Sequence, residues 1–166
     1  VVINEIVYAP KSGPEWVELY NTTAGSIDIK GWKLSNRNSA TRYTISSTSI
    51  IFDAQNYIVI AKDTALFRVA HPTSEVNFIQ VSSLPTFLFN NNGDAVVLFD
   101  NQNAIIDSAR YLPAWGENDS ASLERIEPIG SSTDSTNWGS SEDTSGSTPG
   151  LQNYLTPLEY NLRMMR

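Results

Sequence analysis

Two alternating runs set the terms for this chain. In Glu15-Trp16-Val17-Glu18-Leu19-Tyr20-Asn21, Val17 and Leu19 share one side of an extended segment, and Trp16, Glu18 and Tyr20 share the other. Gly31-Trp32-Lys33-Leu34-Ser35-Asn36 alternates in the same way. A period of two belongs to strands with one face on a core and one face outside it. The stretch between them, residues 22–30, is polar and contains glycine, leaving room for a connection and one short strand at Ile27-Asp28-Ile29. Together the runs predict the first corner of a β-sandwich.

The rest of the chain continues the theme. Val1 to Tyr8 is β-branched and stops at a loop bounded by Pro10 and Pro14, which lack backbone donors. Thr41 to Ile45 and Ser49 to Phe52 read as short edge strands, and Tyr57 to Ala61 as a central, apolar one. Asp63 or Thr64 caps a short helix over Ala65 to Ala70, closed by His71-Pro72. Val76 to Val81 is a further strand. Phe87 to Phe89 and Ala95 to Phe99 form a predicted hairpin around Asn92-Gly93, and Asp100 to Asn103 turns the chain into a strand from Ala104 to Tyr111. A loop from Leu112 to Ser120 holds Trp115 and is followed by a strand at Ala121 to Ile126. Residues 130–153 are rich in serine, threonine and glycine, a strap that crosses the surface with Trp138 as its anchor. The expectation is an all-β, immunoglobulin-like sandwich over residues 1–153 with one short helix and a long C-terminal strap. Residues 154–166 are then a linker or the first strand of a neighbouring domain or subunit.

Composition narrows the function. A chain of 166 residues, 40% hydrophobic and 10% aromatic, can bury one core. Its net charge of −7 disfavours nucleic acid and anionic membranes, which call for a basic footprint. No cysteine is present, which excludes disulfides and thiolate metal sites, and no apolar run reaches the ~20 residues that span a bilayer. The start at Val1 reads as a mature form or an excised domain.

Several pieces, in order, resemble the lamin tail domain family, in particular its bacterial extracellular branch. They are Ile3-Asn4-Glu5-Ile6, the Glu15 and Gly31 runs, Tyr57 to Asp63, Asn92 to Leu98, Asp107 to Tyr111, Ala121 to Arg125, Asn137-Trp138 and Thr148 to Asn153. The resemblance implies an immunoglobulin-like sandwich without enzymatic activity. Bacterial relatives sit as accessory modules in secreted or surface proteins. Nuclear lamins carry the domain after a coiled coil, and no such heptad region occurs here.

Candidate sites are few. His71, the single histidine, precedes Pro72 and reads as a helix-ending surface residue, so no nucleophilic triad is expected. Glu15 and Glu18 are three apart on a strand, on opposite faces, and cannot flank one glycosidic bond. Asn92, Asp94, Asp100 and Asn103 are weak calcium candidates whose residue types also suit plain turns; no cofactor is expected. Trp16, Tyr20 and Trp115 are candidate outward aromatics for stacking on glycans; against this, Trp16 and Tyr20 are weighed as covering a sheet edge or packing under the loops. Arg125 is expected in a cross-strand ion pair, with Glu5 nearby. Asn21-Thr22-Thr23 and Asn118-Asp119-Ser120 are glycosylation sequons. The leading expectation is a non-catalytic extracellular or cell-surface module for adhesion, spacing or tethering, with protein partners or neighbouring domains. The alternatives are a self-assembling subunit, adding Val1 to Tyr8 or the apolar tail to a neighbour's sheet, and a carbohydrate-binding accessory domain.

Overall fold

The two alternating runs enter different sheets, which is what makes the corner. The computed structural model describes residues 1–38, 40–116 and 120–155. Its elements run β1 (Val2–Val7), β2 (Trp16–Tyr20), β3 (Ile27–Asp28), β4 (Lys33–Ser35), β5 (Tyr43–Thr44), β6 (Ile51–Phe52) and β7 (Tyr57–Ala61). After the helix α1 (Thr64–Ala70) come β8 (Asn77–Gln80), β9 (Asp94–Phe99), β10 (Ile105–Tyr111), β11 (Leu123–Arg125) and β12 (Trp138–Ser140). Six strands form one sheet in the order β12-β11-β1-β2-β7-β8, four form another as β10-β9-β4-β5, and β3 pairs with β6. Among the described residues no helix is long and apolar enough to cross a membrane.

The core lies between the larger sheets. Ile3, Ile6, Val17, Leu19, Ile58, Ile60 and Leu123 come from one side, and Leu34, Val96, Leu98, Ala109 and Tyr111 from the other. Tyr8 stacks on Tyr111 with ring centroids 4.5 Å apart, a contact that spans the two sheets. Trp138 plugs into the same core from β12, as the strap's anchor was expected to do. The short helix forms where expected: the Asp63 side chain accepts from the Leu66 N–H, and Phe67 points inward. It serves as the crossover between β7 and β8, which run parallel.

Four expectations change. Val1 to Tyr8 does not offer a free edge, because β1 is flanked by β11 and β2; it cannot add to a neighbour's sheet without leaving its own. Phe87 to Phe89 is not a strand. Its Leu88 and Phe89 N–H groups donate to Glu15 Oε2 at 2.7 and 3.1 Å, so one carboxylate takes the place of a partner strand. The strap is more regular than its composition suggests, since β12 closes the edge of the six-stranded sheet against β11. Leu155, assigned from sequence to the segment after the domain, is buried and lies over Gly139. The remaining tail, 156–166, lies outside the described residues.

Candidate functional site

The outer face of the six-stranded sheet is covered in two halves. On one half Val7, Trp16, Val59 and Ala61 form a second apolar cluster with Phe67 of α1. On the other half the side chains are acidic. Glu124, Glu5 and Glu18 stand in register on β11, β1 and β2, and all three are fully buried. The segment 147–155 lies over them. Thr148 N donates to Glu5 Oε1 and Gly150 N to Glu18 Oε2, at 2.9 and 2.6 Å. Glu124 accepts from Thr148 Oγ1 and from Leu155 N at 2.9 and 3.1 Å. Gly150 has φ +84°, and a Cβ there would meet Val76, so the close approach of the strap requires glycine at this position.

This burial raises carboxyl proton affinities. Glu5 is held well above the usual range, first by burial and then by repulsion from Glu18 and Glu124. Glu18 is pushed up to about 8 by burial, opposed by the Gly150 N–H and the Asn4 amide. Glu15, by itself on the core side, is pushed up to about 7 by burial, opposed by the Phe89 and Leu88 N–H groups.

The aromatic candidates do not come together. Trp16, read from its alternation as outward, is only 2% exposed and packs edge-on against Phe67 and His71. Tyr20 stacks on Tyr57 at 4.7 Å and donates its hydroxyl to Gln55. Trp115 is half-buried against the main core. Trp16 is therefore packed, though under a helix and not a loop, and an outward face on a sheet is not an exposed one when a helix lies on it. His71 caps α1 through its backbone, and burial lowers its imidazole's proton affinity.

The turn acids are occupied by local donors. Asp94 accepts from the N–H groups of Arg37, Ala95 and Asn90. Asp100 accepts from Gln102 and Ala104, and Asn103 takes the left-handed φ of 68° that the turn needs. Asn92 holds the Asn90 side chain through its N–H. Among the described residues no group of three or more His, Asp or Glu side chains is arranged to hold a metal ion. Arg125 does pair across strands, but with Asp107 at 2.8 Å and not with Glu5. The Asn21 amide is buried and donates to Gly25, Phe52 and Asp53 carbonyls, so this sequon is closed to modification in the folded domain. Asn118 lies outside the described residues.

The outer face of the four-stranded sheet has a different character. Register sets Lys33 opposite Phe99 and Arg110 opposite Ala95. Ala95, Val97 and Phe99 form a narrow apolar strip along β9. The Arg42 guanidinium stacks over the Phe99 ring at 4.2 Å. Ile105, opposite Phe99 on β10, is 63% exposed. Among the described residues none of Lys33, Arg42 and Arg110 is in an ion pair. The alternation that predicted the strands contained this face, but only the register brings its three cations onto one surface.

Two sheets packed face to face on one core define an immunoglobulin-like sandwich. The family model described as Lamin Tail Domain matches residues 1–112, and the chain belongs to that family of non-catalytic domains, which mediate protein interactions generally. The matched stretch ends before β11, β12 and the strap, which complete the six-stranded sheet. Comparison with curated proteins gives no match.

Proposed function

We propose that this domain is a protein-interaction module of an extracellular or cell-surface protein, and that it presents the outer face of the four-stranded sheet to an acidic protein partner. The observation that carries the reading is the trio Lys33, Arg42 and Arg110, on one face and without an ion-pair partner among the described residues, in a chain whose net charge is −7. Unpaired cations on a rigid sheet give register and on-rate to an acidic partner, and guanidinium forks suit carboxylates in two-point contacts. Exposed Ile105 beside them favours a polypeptide with both acidic and apolar side chains over a glycan. Placement outside the cell rests on the likeness of the motifs to bacterial extracellular relatives.

The test is fluorescence anisotropy with a labelled peptide of alternating glutamate and leucine, at low and at physiological salt. Binding that weakens with salt and is lost in the triple variant Lys33→Glu, Arg42→Glu, Arg110→Glu supports the reading. Equal binding by the variant, or none by the parent at low salt, rejects it.

A further inference from the structure

The carboxyl row under the strap is built differently from an ordinary buried ion pair. Neighbouring strands lie about 4.8 Å apart, so the directly opposed Glu124, Glu5 and Glu18 crowd three carboxyls into a span of roughly 10 Å. No cation faces them among the described residues. Arg125, the next residue after Glu124, points to the opposite side of the sheet and is held by Asp107. From β7 the nearest titratable neighbour is Tyr57, which lies on the flank of Glu18. The strap brings N–H groups and the Thr148 hydroxyl to the row, and β1 brings the Asn4 amide, none of which carries a charge.

Donors of this kind can hold one negative charge well. A second and a third ionised carboxylate in this buried row repel one another, and among the described residues no facing cation offsets that repulsion. Among the described residues Glu5 Oε2 and Ser122 Oγ have no partner that meets hydrogen-bond geometry, although Ser122 is 1% exposed and its hydroxyl lies close enough to the Glu5 carboxyl to hold its proton affinity down. An unpartnered oxygen next to crowded carboxyls is where a proton would be accommodated.

We infer that Glu5 and Glu18, crowded in register beside Glu124, form a proton-operated latch: the strap over residues 147–155 stays seated while the two hold protons, and is released as they leave. The direction follows from linkage. The seated state binds more protons than the released one, because release returns Glu5 and Glu18 to water and to their ordinary value of 4.5. Rising pH therefore favours release, in a range marked by the value of about 8 for Glu18. Release uncovers the acidic half of the sheet and merges the two clefts beside the strap, of about 370 and about 590 Å³, which share His71, Asp143 and Ser147.

The experiment is amide hydrogen exchange by NMR on the 166-residue chain from pH 5 to 9, corrected for the intrinsic rate. Protection at Thr148, Gly150 and Leu155 should fall in the alkaline range by about tenfold per pH unit for each proton released, while Val17 and Ile60 stay protected. Glu5→Gln and Glu18→Gln, which keep shape and lose charge, should flatten that fall. Strap protection that follows the sheet at every pH, or an unchanged fall in both variants, overturns the inference. Should the variants not fold, carbon-13 titration of the glutamate carboxyls in the parent decides. Glu5 or Glu18 must titrate well above the ordinary range, and ordinary values for both overturn the latch.

Discussion

Arg125 on β11 reaches across the sandwich to Asp107 on β10, with Nη1 and Oδ2 2.8 Å apart and both side chains nearly enclosed. The same guanidinium donates to the carbonyls of Ile3 and Gly130, and Asp107 also accepts from Ile3 N. One ion pair thereby ties the two sheets and the first strand together. Asp107→Ala strands a buried cation and should cost about 3–5 kcal/mol. Arg125→Met together with Asp107→Leu should cost less than the sum of the single changes, because no unpaired charge remains. Urea denaturation of the parent, Asp107→Ala, Arg125→Met, Asp107→Leu and the double variant measures both.

Global stability should be highest in mild acid. Glu5, Glu15 and Glu18 all bind protons more tightly in the folded chain than at their ordinary value of 4.5. Their contribution is complete below that value and is lost as pH rises through about 7 for Glu15 and about 8 for Glu18. Asp28 is lowered, chiefly by the Lys30 N–H, so its effect has the opposite sign and appears only in stronger acid. A series of thermal melts should show Tm falling between about pH 5 and pH 9. A Tm that climbs over that interval would contradict the raised affinities.

Trp16 separates packing from recognition. As a glycan platform, Trp16→Ala would leave the fold intact and lose binding. Seated against Phe67 at 5.7 Å, it should instead cost about 3–5 kcal/mol of stability, as should Phe67→Ala. Asp63→Ala, which removes only the helix cap, should cost about 1 kcal/mol. Chemical denaturation places the three variants in that order.

Glu15 stands in for a strand, and its two substitutions should diverge. Glu15→Gln keeps an oxygen for Leu88 and Phe89 and should fold with little loss at pH 7. Glu15→Ala leaves two buried N–H groups without an acceptor, a loss of about 2–4 kcal/mol. Amide exchange at Leu88 and Phe89 reports the change locally, and equal behaviour of the two variants would show that the acceptor is immaterial.

The strands were legible because a period of two is local: Val17 with Leu19, and Leu34 between Lys33 and Ser35, carry it within five residues. The helix was legible from its cap. What covers a strand was not. Trp16 and Glu18 look alike in the pattern as outward residues, yet one is roofed by α1 and the other by the strap. The acidic row depends on pairing residues 5, 18 and 124, with a bulge between Ile3 and Glu5 that shifts the register. No local signal states which strands will be neighbours. The Glu15 acceptor was hidden for the same reason, since its donors lie more than seventy positions along the chain.

The position of β1 also bears on how the chain emerges from a ribosome. One side of β1 can pair with β2 almost at once, but its other side waits for β11, more than a hundred residues later. During that interval the nascent chain carries a strand with an open edge, the condition under which β-proteins join one another wrongly. Glu5 sits in the middle of that edge, ionised while water reaches it, and repels the approach of another copy. The carboxyl that is costly inside the finished domain is thus a safeguard during its synthesis.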